Sequence, residues 1–291
     1  MKMKKEILLR WCKLALAFCL TAGAVYAPKG KLWARNPPES SCGELLKEHG
    51  KQPDETIGFA AGGGQNTVPG EAQVLSHGFV RFEGRGRTGG VLCVGSSYAW
   101  HGPNVADLGW SGDWGMAASA RSNDCVHVVW DAIRRVRPEA PLCIAQSAIW
   151  ERNYTGDVTF LERHYAECRS FRPDWIVIIS TAANAPKALA ESEPLGSHYA
   201  RMVDWFVTLN PQAKVVLSVG SSGGKFARAI QAYAAEKGYP VVDFREFLDR
   251  PGMRAKGLFK HSGVAWHPSD LGMRELGRRY ARALGLPMAD R

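Results

Sequence analysis

A serine and a histidine in two distant segments are the residues best suited to chemistry in this chain. Ser97 follows a short apolar run, and His267 lies in a loop before the last amphipathic segment. A serine hydroxyl is a poor nucleophile until a base removes its proton, and histidine is the side chain that most often does so. If the fold brings Ser97 and His267 together, the pair has the groups that nucleophilic catalysis needs. Taken alone, a structural Gly-Ser-Ser turn and an ordinary loop histidine remain open as explanations of the two positions.

Two further segments supply groups that could approach or bind a ligand in the cleft. Gly115 precedes a predicted helix, where the lack of a side chain lets the backbone approach a ligand closely. Asn184 follows the most apolar run of the chain and can donate a hydrogen bond from its amide. An oxyanion needs several preorganised donors of this kind. An ordinary glycine turn and an Asx turn remain open as structural explanations of the two positions.

From about residue 89 onwards, apolar runs alternate with amphipathic segments. The apolar runs predict strands at 91–94, 142–149, 175–180, 214–219 and 241–244. The amphipathic segments predict helices at 115–136, 160–171, 192–208, 225–237 and 269–284. Continuously apolar strands between helices are typical of a parallel sheet covered on both faces. We therefore expect a three-layer α/β/α sandwich around a five-stranded parallel sheet, with its ligand site beyond the carboxyl ends of the strands.

The first 27 residues have the pattern of a secretory signal peptide. Basic residues precede an apolar run at 14–25, and the small residues at 22–24 resemble a cleavage site. The run is shorter than the ~20 residues that a spanning helix needs, which favours a periplasmic or secreted protein over an uncleaved membrane anchor. A lipidated Cys19 is disfavoured because the bulky Phe18 precedes it.

Residues 28–88 differ in character from the chain that follows. The first half is polar and without a clear period, whereas the second half holds a glycine-rich turn and an alternating run at 77–82 that predicts a strand or hairpin. We expect a linker and a small β appendage here, and a main domain that spans 89–291.

The composition excludes several classes of protein. Hydrophobic residues make up 45% of the 291 residues and charged residues 22%, which excludes disorder over most of the length. The net charge falls from +9 to +5 when the five basic residues and one acidic residue of 1–27 are left out. The remaining basic residues are scattered, which argues against a nucleic-acid partner. The mildly basic balance suits a solvated surface, and it also favours an acidic substrate or a membrane face.

Cysteine usage gives no sign of a metal site. Outside the signal segment the chain has five cysteines without a C-x-x-C pair, which argues against a zinc site and a disulfide framework. They are Cys42, Cys93, Cys125, Cys143 and Cys168. A single disulfide remains open, whereas thiols within apolar strands are expected to be buried and inert. No cluster of His, Asp and Glu has the spacing of metal ligands, and no cofactor is predicted.

The order of these segments resembles that of the SGNH (GDSL-type) hydrolase and esterase superfamily. The resemblance covers 89–286, roughly two thirds of the chain. Its most specific stretches are VGSSYAWHGP at 94–103, GWSGDWGMAAS at 109–119 and HPSDLGM at 267–273, together with WERN at 150–153. It implies a flavodoxin-like sandwich of the SGNH hydrolase type and an enzyme that hydrolyses esters.

The resemblance also implies roles for individual residues. Ser97 would be the nucleophile and His267 its general base. The backbone N–H groups of Ser97 and Gly115 and the side-chain amide of Asn184 would form the oxyanion hole.

For an exported member, the resemblance suggests an esterase that removes O-acetyl groups from carbohydrate, so that the partner is a small-molecule or glycan ester. His101, Trp114 and Glu151 are candidate substrate-binding residues near the predicted cleft. Trp100 and Trp150 lie close by, and tryptophans suit stacking on sugar rings as well as they suit a large core.

Three positions depart from the superfamily pattern. Ser96 stands where an Asp or Asn is usual, Ala182 where a Gly is usual, and Val264 where many members have an Asp that orients the histidine. A backbone carbonyl on the second ring nitrogen of His267 would suit a Ser–His dyad, and Asp270 is either a substitute acid or a first-turn acid of the last helix. The competing hypothesis is a catalytically decayed carbohydrate-binding or scaffold protein of the same fold.

A second serine offers a rival nucleophile. Residues 220–224 match the G-x-S-x-G pattern of an α/β-hydrolase elbow, with Ser222 as nucleophile and Asp243 or Asp249 as the acid before His267. Against it, only one predicted strand follows the elbow.

Two other histidines, His261 and His127, are also considered. His261 is a rival base in the same loop as His267, and His127 is expected to be a buried, hydrogen-bonded histidine on its helix.

Overall fold

The computed structural model describes residues 79–185, 196–220 and 224–287. The predicted signal segment, most of the predicted β appendage, Cys42 and the elbow serine Ser222 lie outside the described residues. Within the described ranges, no helix combines the length and the apolar character that crossing a bilayer requires.

Six strands of the described chain form one sheet in the order β1-β3-β2-β4-β5-β6. They are β1 (Val80–Glu83), β2 (Thr88–Gly95), β3 (Leu142–Gln146), β4 (Arg172–Ile178), β5 (Lys214–Val219) and β6 (Val241–Asp243). Strands β2 to β6 are parallel, whereas β1 pairs antiparallel with β3 at the edge. The α/β sandwich with a mainly parallel sheet is confirmed, and the sheet has one strand more than the five predicted.

The additional strand β1 comes from the alternating run that the sequence analysis placed in an appendage. Val80 lies opposite Ala145 of β3 and is buried, whereas Arg81 and Phe82 are only partly buried. A strand with one buried residue followed by partly buried ones suits the antiparallel edge of a sheet, since such a strand need not be covered on both faces. The main sheet therefore extends at least to Val80, ahead of the predicted boundary at 89.

Eight α-helices lie in the described ranges. They are α1 (Val105–Leu108), α2 (Cys125–Val136), α3 (Ala148–Asn153), α4 (Val158–Tyr165), α5 (Ser197–Val207), α6 (Lys225–Lys237), α7 (Ser262–Ala265) and α8 (Asp270–Ala283). Side chains of β2 alternate between two cores. Val91 and Cys93 pack with the buried faces of α2 and α8, whereas Leu92 and Val94 pack with those of α4, α5 and α6. The sheet is thus the middle layer of three.

Several element boundaries differ from the predicted ones. Helix α2 begins at Cys125 rather than near residue 115 because Asp124 caps it, accepting a hydrogen bond from the N–H of His127. The segment before it runs through turns, with Ala117 at a positive φ of 75°. The predicted strand at 142–149 ends at Gln146, since α3 begins two residues later.

The four described cysteines, Cys93, Cys125, Cys143 and Cys168, are buried free thiols. The Sγ atoms of Cys143 and Cys168 are 4.0 Å apart. Burial raises the pKa of the Cys93, Cys125 and Cys143 thiols, which keeps these groups protonated and unreactive. Cys93 and Cys143 therefore match the expectation of buried, inert thiols in strands.

Candidate active site

The structure brings Ser97 and His267 into hydrogen-bonding contact. Ser97 lies in the turn after β2, and His267 lies between α7 and α8, 170 positions along the chain. The distance from His267 Nε2 to Ser97 Oγ is 2.7 Å. This is the geometry in which a histidine can take the proton of a serine hydroxyl as the oxygen attacks a substrate.

The second ring nitrogen of His267 is held by a backbone group. Nδ1 donates to the carbonyl oxygen of Gly263 at 2.7 Å, which assigns the proton to Nδ1 and leaves Nε2 as the acceptor for the Ser97 hydroxyl. The ring of Tyr98 lies 5.2 Å from the imidazole, centroid to centroid. Val264, at the position of the usual acid, is fully buried in the core.

Asp270 was considered as an acid that orients His267, but its carboxylate bonds to other residues. Its carboxylate accepts hydrogen bonds from the N–H of Ser119 at 2.7 Å and from the Ser119 hydroxyl at 2.5 Å. Asn123 adds a third at 3.0 Å. Asp270 therefore links the start of α8 to the segment before α2, and the ring of His267 is oriented without it.

Burial sets the protonation state of His267. It lowers the pKa of the imidazole to about 4, although the hydrogen bond to Gly263 acts in the opposite direction. His101, which lines the same cleft, adds to the lowering. At neutral pH the ring is therefore uncharged and able to accept a proton, as a general base must be.

Gly115 is placed differently from its predicted role as an oxyanion donor. Its N–H donates to Oδ2 of Asp124 at 3.0 Å. Asp124 is fully buried, and its other oxygen accepts from the N–H and from Nδ1 of His127, both at 2.8 Å. A buried carboxylate requires several donors, and Gly115 supplies one of them. The N–H of Gly115 is thus already occupied.

The amide of Asn184 lines the cleft, as the oxyanion prediction requires. The Nδ2 group of Asn184 donates one of its two hydrogens to Oε2 of Glu151, with an N-to-O distance of 2.5 Å. The backbone N–H of Asn184 donates to the same oxygen at 3.3 Å. A primary amide has two N–H donors, so the second remains geometrically available to a ligand. Glu151 therefore fixes the orientation of the Asn184 side chain.

Glu151 is not among the described residues that line the cleft. Its side chain is fully buried, and its other carboxyl oxygen accepts from the hydroxyls of Ser147 and Ser180. The structure therefore places Glu151 behind Asn184 and not at the cleft surface, where a substrate contact was predicted. The sequence signal that could have shown this is the position of Glu151 in the short helix that follows the buried strand β3, in reach of residues after the ends of β3 and β4.

Trp114 is also corrected from a substrate contact to a core residue. It is 7% exposed, its Nε1 donates to the carbonyl of Ala118, and its ring meets that of Trp110 edge to face. Trp100 is buried as well but contributes to the cleft wall. Of the tryptophans considered for stacking on a sugar, Trp100 is thus the one that borders the cleft.

An open cleft of about 690 Å³ surrounds the Ser97–His267 pair. His101 lines it, as predicted, with Nδ1 2.6 Å from the carbonyl of Gly102. His261 lines it too, and its Nδ1 caps α7 by accepting from the N–H of Val264. Arg152, which the sequence analysis did not single out, reaches the same cleft from α3.

The rival elbow finds no support among the described residues around His267. Ser222 lies outside them, and Nε2 of His267 bonds to Ser97. The two candidate acids pair with arginines, Asp243 with Arg245 and Asp249 with Arg254.

The remaining histidine, His127, is buried and hydrogen-bonded between Asp124 and Glu83, as expected. Within the part of the chain that the structure describes, no cluster of His, Cys, Asp and Glu has metal-binding geometry.

No family model and no curated protein sequence matches this chain. Among solved structures, a carbohydrate esterase is 16% identical with a TM-score of 0.45, and the match covers 69% of each chain. A structure described as a GDSL-like lipase from Bacteroides ovatus is 14% identical with a TM-score of 0.40 over 67% of this chain and 98% of its own. A family two carbohydrate esterase from Cellvibrio japonicus is 16% identical with a TM-score of 0.37, over 69% and 63% respectively. The likeness to these structures is one of fold.

Proposed function

We propose that this chain is a serine esterase of the SGNH type, with Ser97 as nucleophile and His267 as general base. The observation that supports this most directly is the 2.7 Å contact from Nε2 to Oγ, made by an imidazole whose Nδ1 proton is held by Gly263. The lowered pKa of His267 keeps the ring neutral at the pH at which it would act. A positioned, neutral base beside a serine hydroxyl is the requirement for acyl transfer.

The reaction would proceed through an acyl-enzyme. Oγ of Ser97 attacks the ester carbonyl while Nε2 of His267 takes the hydroxyl proton. The tetrahedral intermediate collapses as His267 returns that proton to the departing alkoxide. A water molecule, deprotonated by His267 in the same way, then attacks the acyl group, and the returning proton restores the Ser97 hydroxyl.

The oxyanion would be stabilised by the backbone N–H of Ser97 and by the free hydrogen of the Asn184 amide. Asn184 is held by Glu151, so that its donor is already oriented before substrate binds. Each such donor typically contributes ~3–4 kcal/mol to lowering the barrier. With the N–H of Gly115 bound to Asp124, the hole has one donor fewer than the resemblance implied.

We further propose an O-acetyl group on a carbohydrate as the ester and the periplasm or the exterior as the location. The cleft supports a substrate of sugar size, since it is open and has about 690 Å³ of space beside Ser97. The location is supported by the signal-peptide pattern of the first 27 residues.

The test is hydrolysis of p-nitrophenyl acetate and butyrate by the full chain and by serine and histidine variants. Ser97→Ala and His267→Ala should each lower kcat by about 10³-fold or more. Ser222→Ala is the matched control and should keep the parent activity. Loss of activity in Ser222→Ala alone would place the nucleophile in the elbow instead.

One observation favours the second candidate, a decayed carbohydrate-binding protein. The occupied N–H of Gly115 weakens the oxyanion hole on which catalysis depends. A fluorophosphonate label separates the two candidates. Labelling of Ser97 supports the esterase, whereas a folded protein that binds glycans but neither labels nor hydrolyses would support the binding protein.

A further inference from the structure

The cleft lining has basic side chains but, among the described residues, no acidic ones. Among the described lining residues there is no aspartate and no glutamate, whereas there are one arginine and three histidines. The histidines are His101, His261 and His267, and the arginine is Arg152. Ser97 and Arg152 line the same open space, so a substrate at Ser97 lies near a positively charged side chain.

Arg152 is available to a ligand. It lies in the last turn of α3 and is exposed, and within the described part of the chain its guanidinium has no ion pair or hydrogen-bond partner. The other arginine near the cleft wall, Arg81, is by contrast paired with Asp113 at 2.5 Å and stacked on Trp100. Arg81 is thus held in the wall by its partners, whereas Arg152 lines the cleft without a counterion among the described residues.

The acidic residue next to Arg152 in the chain does not pair with it. Its neighbour Glu151 is fully buried and turned towards Ser147, Ser180 and Asn184. Burial also lowers the pKa of both His101 and His267, so neither carries a full charge at neutral pH. Arg152 is therefore the one permanent charge among the described residues of the cleft lining.

We propose that the substrate of this site carries an anionic group on the same molecule as the ester, and that Arg152 binds that group. The inference rests on the proposed esterase function for the ester and adds the chemical class of the rest of the substrate. A guanidinium presents its N–H groups in a planar fork that matches carboxylate, phosphate and sulfate oxygens two at a time. The basic balance of the chain attracts an anion in the same sense.

A comparison of matched substrates tests the proposal. Acetate release is measured from O-acetylated trigalacturonate, which carries carboxylates, and from O-acetylated xylotriose, which is neutral. O-acetylated glucose 6-phosphate and O-acetylated glucose form a second pair that distinguishes a phosphate from a carboxylate. The full chain should prefer the anionic member of at least one pair by about tenfold or more in kcat/KM, and added salt should reduce that preference.

The role of Arg152 is tested by Arg152→Gln, with Arg152→Lys as the charge-retaining variant. Arg152→Gln should reduce the ratio of anionic to neutral kcat/KM about tenfold, mainly through KM, and Arg152→Lys should keep more of it. The matched control is Arg163→Gln, an exposed arginine in the last turn of α4 outside the cleft lining, which should keep both the ratio and the basal activity. Equal use of both members of each pair by the parent, or an unchanged ratio in Arg152→Gln, overturns the proposal.

Failure of the esterase function is recognised separately. Ser97-dependent hydrolysis of p-nitrophenyl acetate with no preference for anionic sugars removes only the anion site. If there is no hydrolysis at all, calorimetric binding of trigalacturonate and xylotriose to Ser97→Ala, with and without Arg152→Gln, decides the anion site alone. Tighter binding of trigalacturonate that Arg152→Gln abolishes supports it, and equal binding of the two overturns it.

Discussion

The imidazole of His267 is oriented by the main chain of Gly263, whose carbonyl oxygen accepts the Nδ1 proton at 2.7 Å. A carbonyl is a neutral acceptor, so it fixes the tautomer of the ring without adding a negative charge that would stabilise the imidazolium. Val264 next to it is fully buried, so an acid at this position would be taken out of water. A dyad of this kind should have a weaker base than a Ser–His–Asp triad.

The first prediction concerns the pH dependence of hydrolysis. Because burial lowers the pKa of His267 to about 4, the ring stays neutral until the pH falls to that value. We expect kcat/KM to be flat from pH 7 to about pH 5 and to decrease with an apparent pKa near 4. The measurement is release of p-nitrophenol between pH 3.5 and 7, with circular dichroism as the control for folding. A limb centred near the ordinary histidine value of 6.5 would contradict the buried, neutral base.

The second prediction concerns stability and His127. Burial alone would lower the pKa of this histidine, but the carboxylates of Asp124 and Glu83, at 2.8 and 3.2 Å, raise it to about 9. A raised folded-state pKa contributes stability that is fully present below about pH 6.5 and is lost as the pH rises through 9. The free energy of unfolding should therefore drop by up to about 3 kcal/mol between pH 6 and pH 10.

Urea unfolding at a series of pH values measures this loss. His127→Gln should lower stability at pH 6 and flatten the dependence on pH, because the titrating group is gone. The matched control is His164→Gln, since His164 bonds the carbonyl of Phe160 and no carboxylate within the described residues. A stability that rises with pH in this range would mean that His127 is buried neutral.

The third prediction separates two roles for Asp270. Its carboxylate bonds Ser119 and Asn123, not His267. Asp270→Asn should cost ~1–3 kcal/mol of stability and less than about tenfold in kcat. Removing the acid that orients the base of a Ser–His–Asp triad lowers kcat by about 10⁴. A loss of that size in a folded Asp270 variant would mean that Asp270 takes part in catalysis.

The sequence could predict the parallel sheet because buried strands depend on local pattern, whereas the pairing of Ser97 with His267 is not local and was expected from the order of the segments and not from either residue alone. Apolar runs identify buried strands, and a strand end identifies the loop that carries Ser97. The hydrogen-bond partner of a buried polar group could not be predicted, because it depends on which segments the fold brings together. The N–H of Gly115 could serve an oxyanion or a carboxylate, and only the position of Asp124 decides between them.

The sequence also could not predict which side chains border the cleft or which strand lies at the edge of the sheet. Trp100 and Trp114 both lie in the segment between β2 and α2, yet of the two only Trp100 borders the cleft. The strand β1 has the alternation of an appendage hairpin, and its place at the edge of the main sheet follows from pairing with β3. Alternation specifies that a strand has an exposed face but not which sheet it joins.

The last prediction concerns Glu151, which we expect to act through Asn184. Replacing Asn184 with Ala removes an oxyanion donor and should lower kcat by about 10²–10³. Glu151→Gln leaves the donor in place but loosens its orientation, because the 2.5 Å bond to Nδ2 is weakened, and should lower kcat about tenfold with little change in KM.

A double-mutant cycle distinguishes positioning from a general structural role. In the Asn184→Ala background, Glu151→Gln should have almost no further effect on kcat, since the group that it orients is absent. Glu162→Gln is the matched control, because this glutamate binds Arg169 and Trp205 away from the cleft lining and its loss should leave kcat unchanged in both backgrounds. If Glu151→Gln lowers kcat by the same factor with and without Asn184, then Glu151 supports the site through the ends of β3 and β4 and not through the amide.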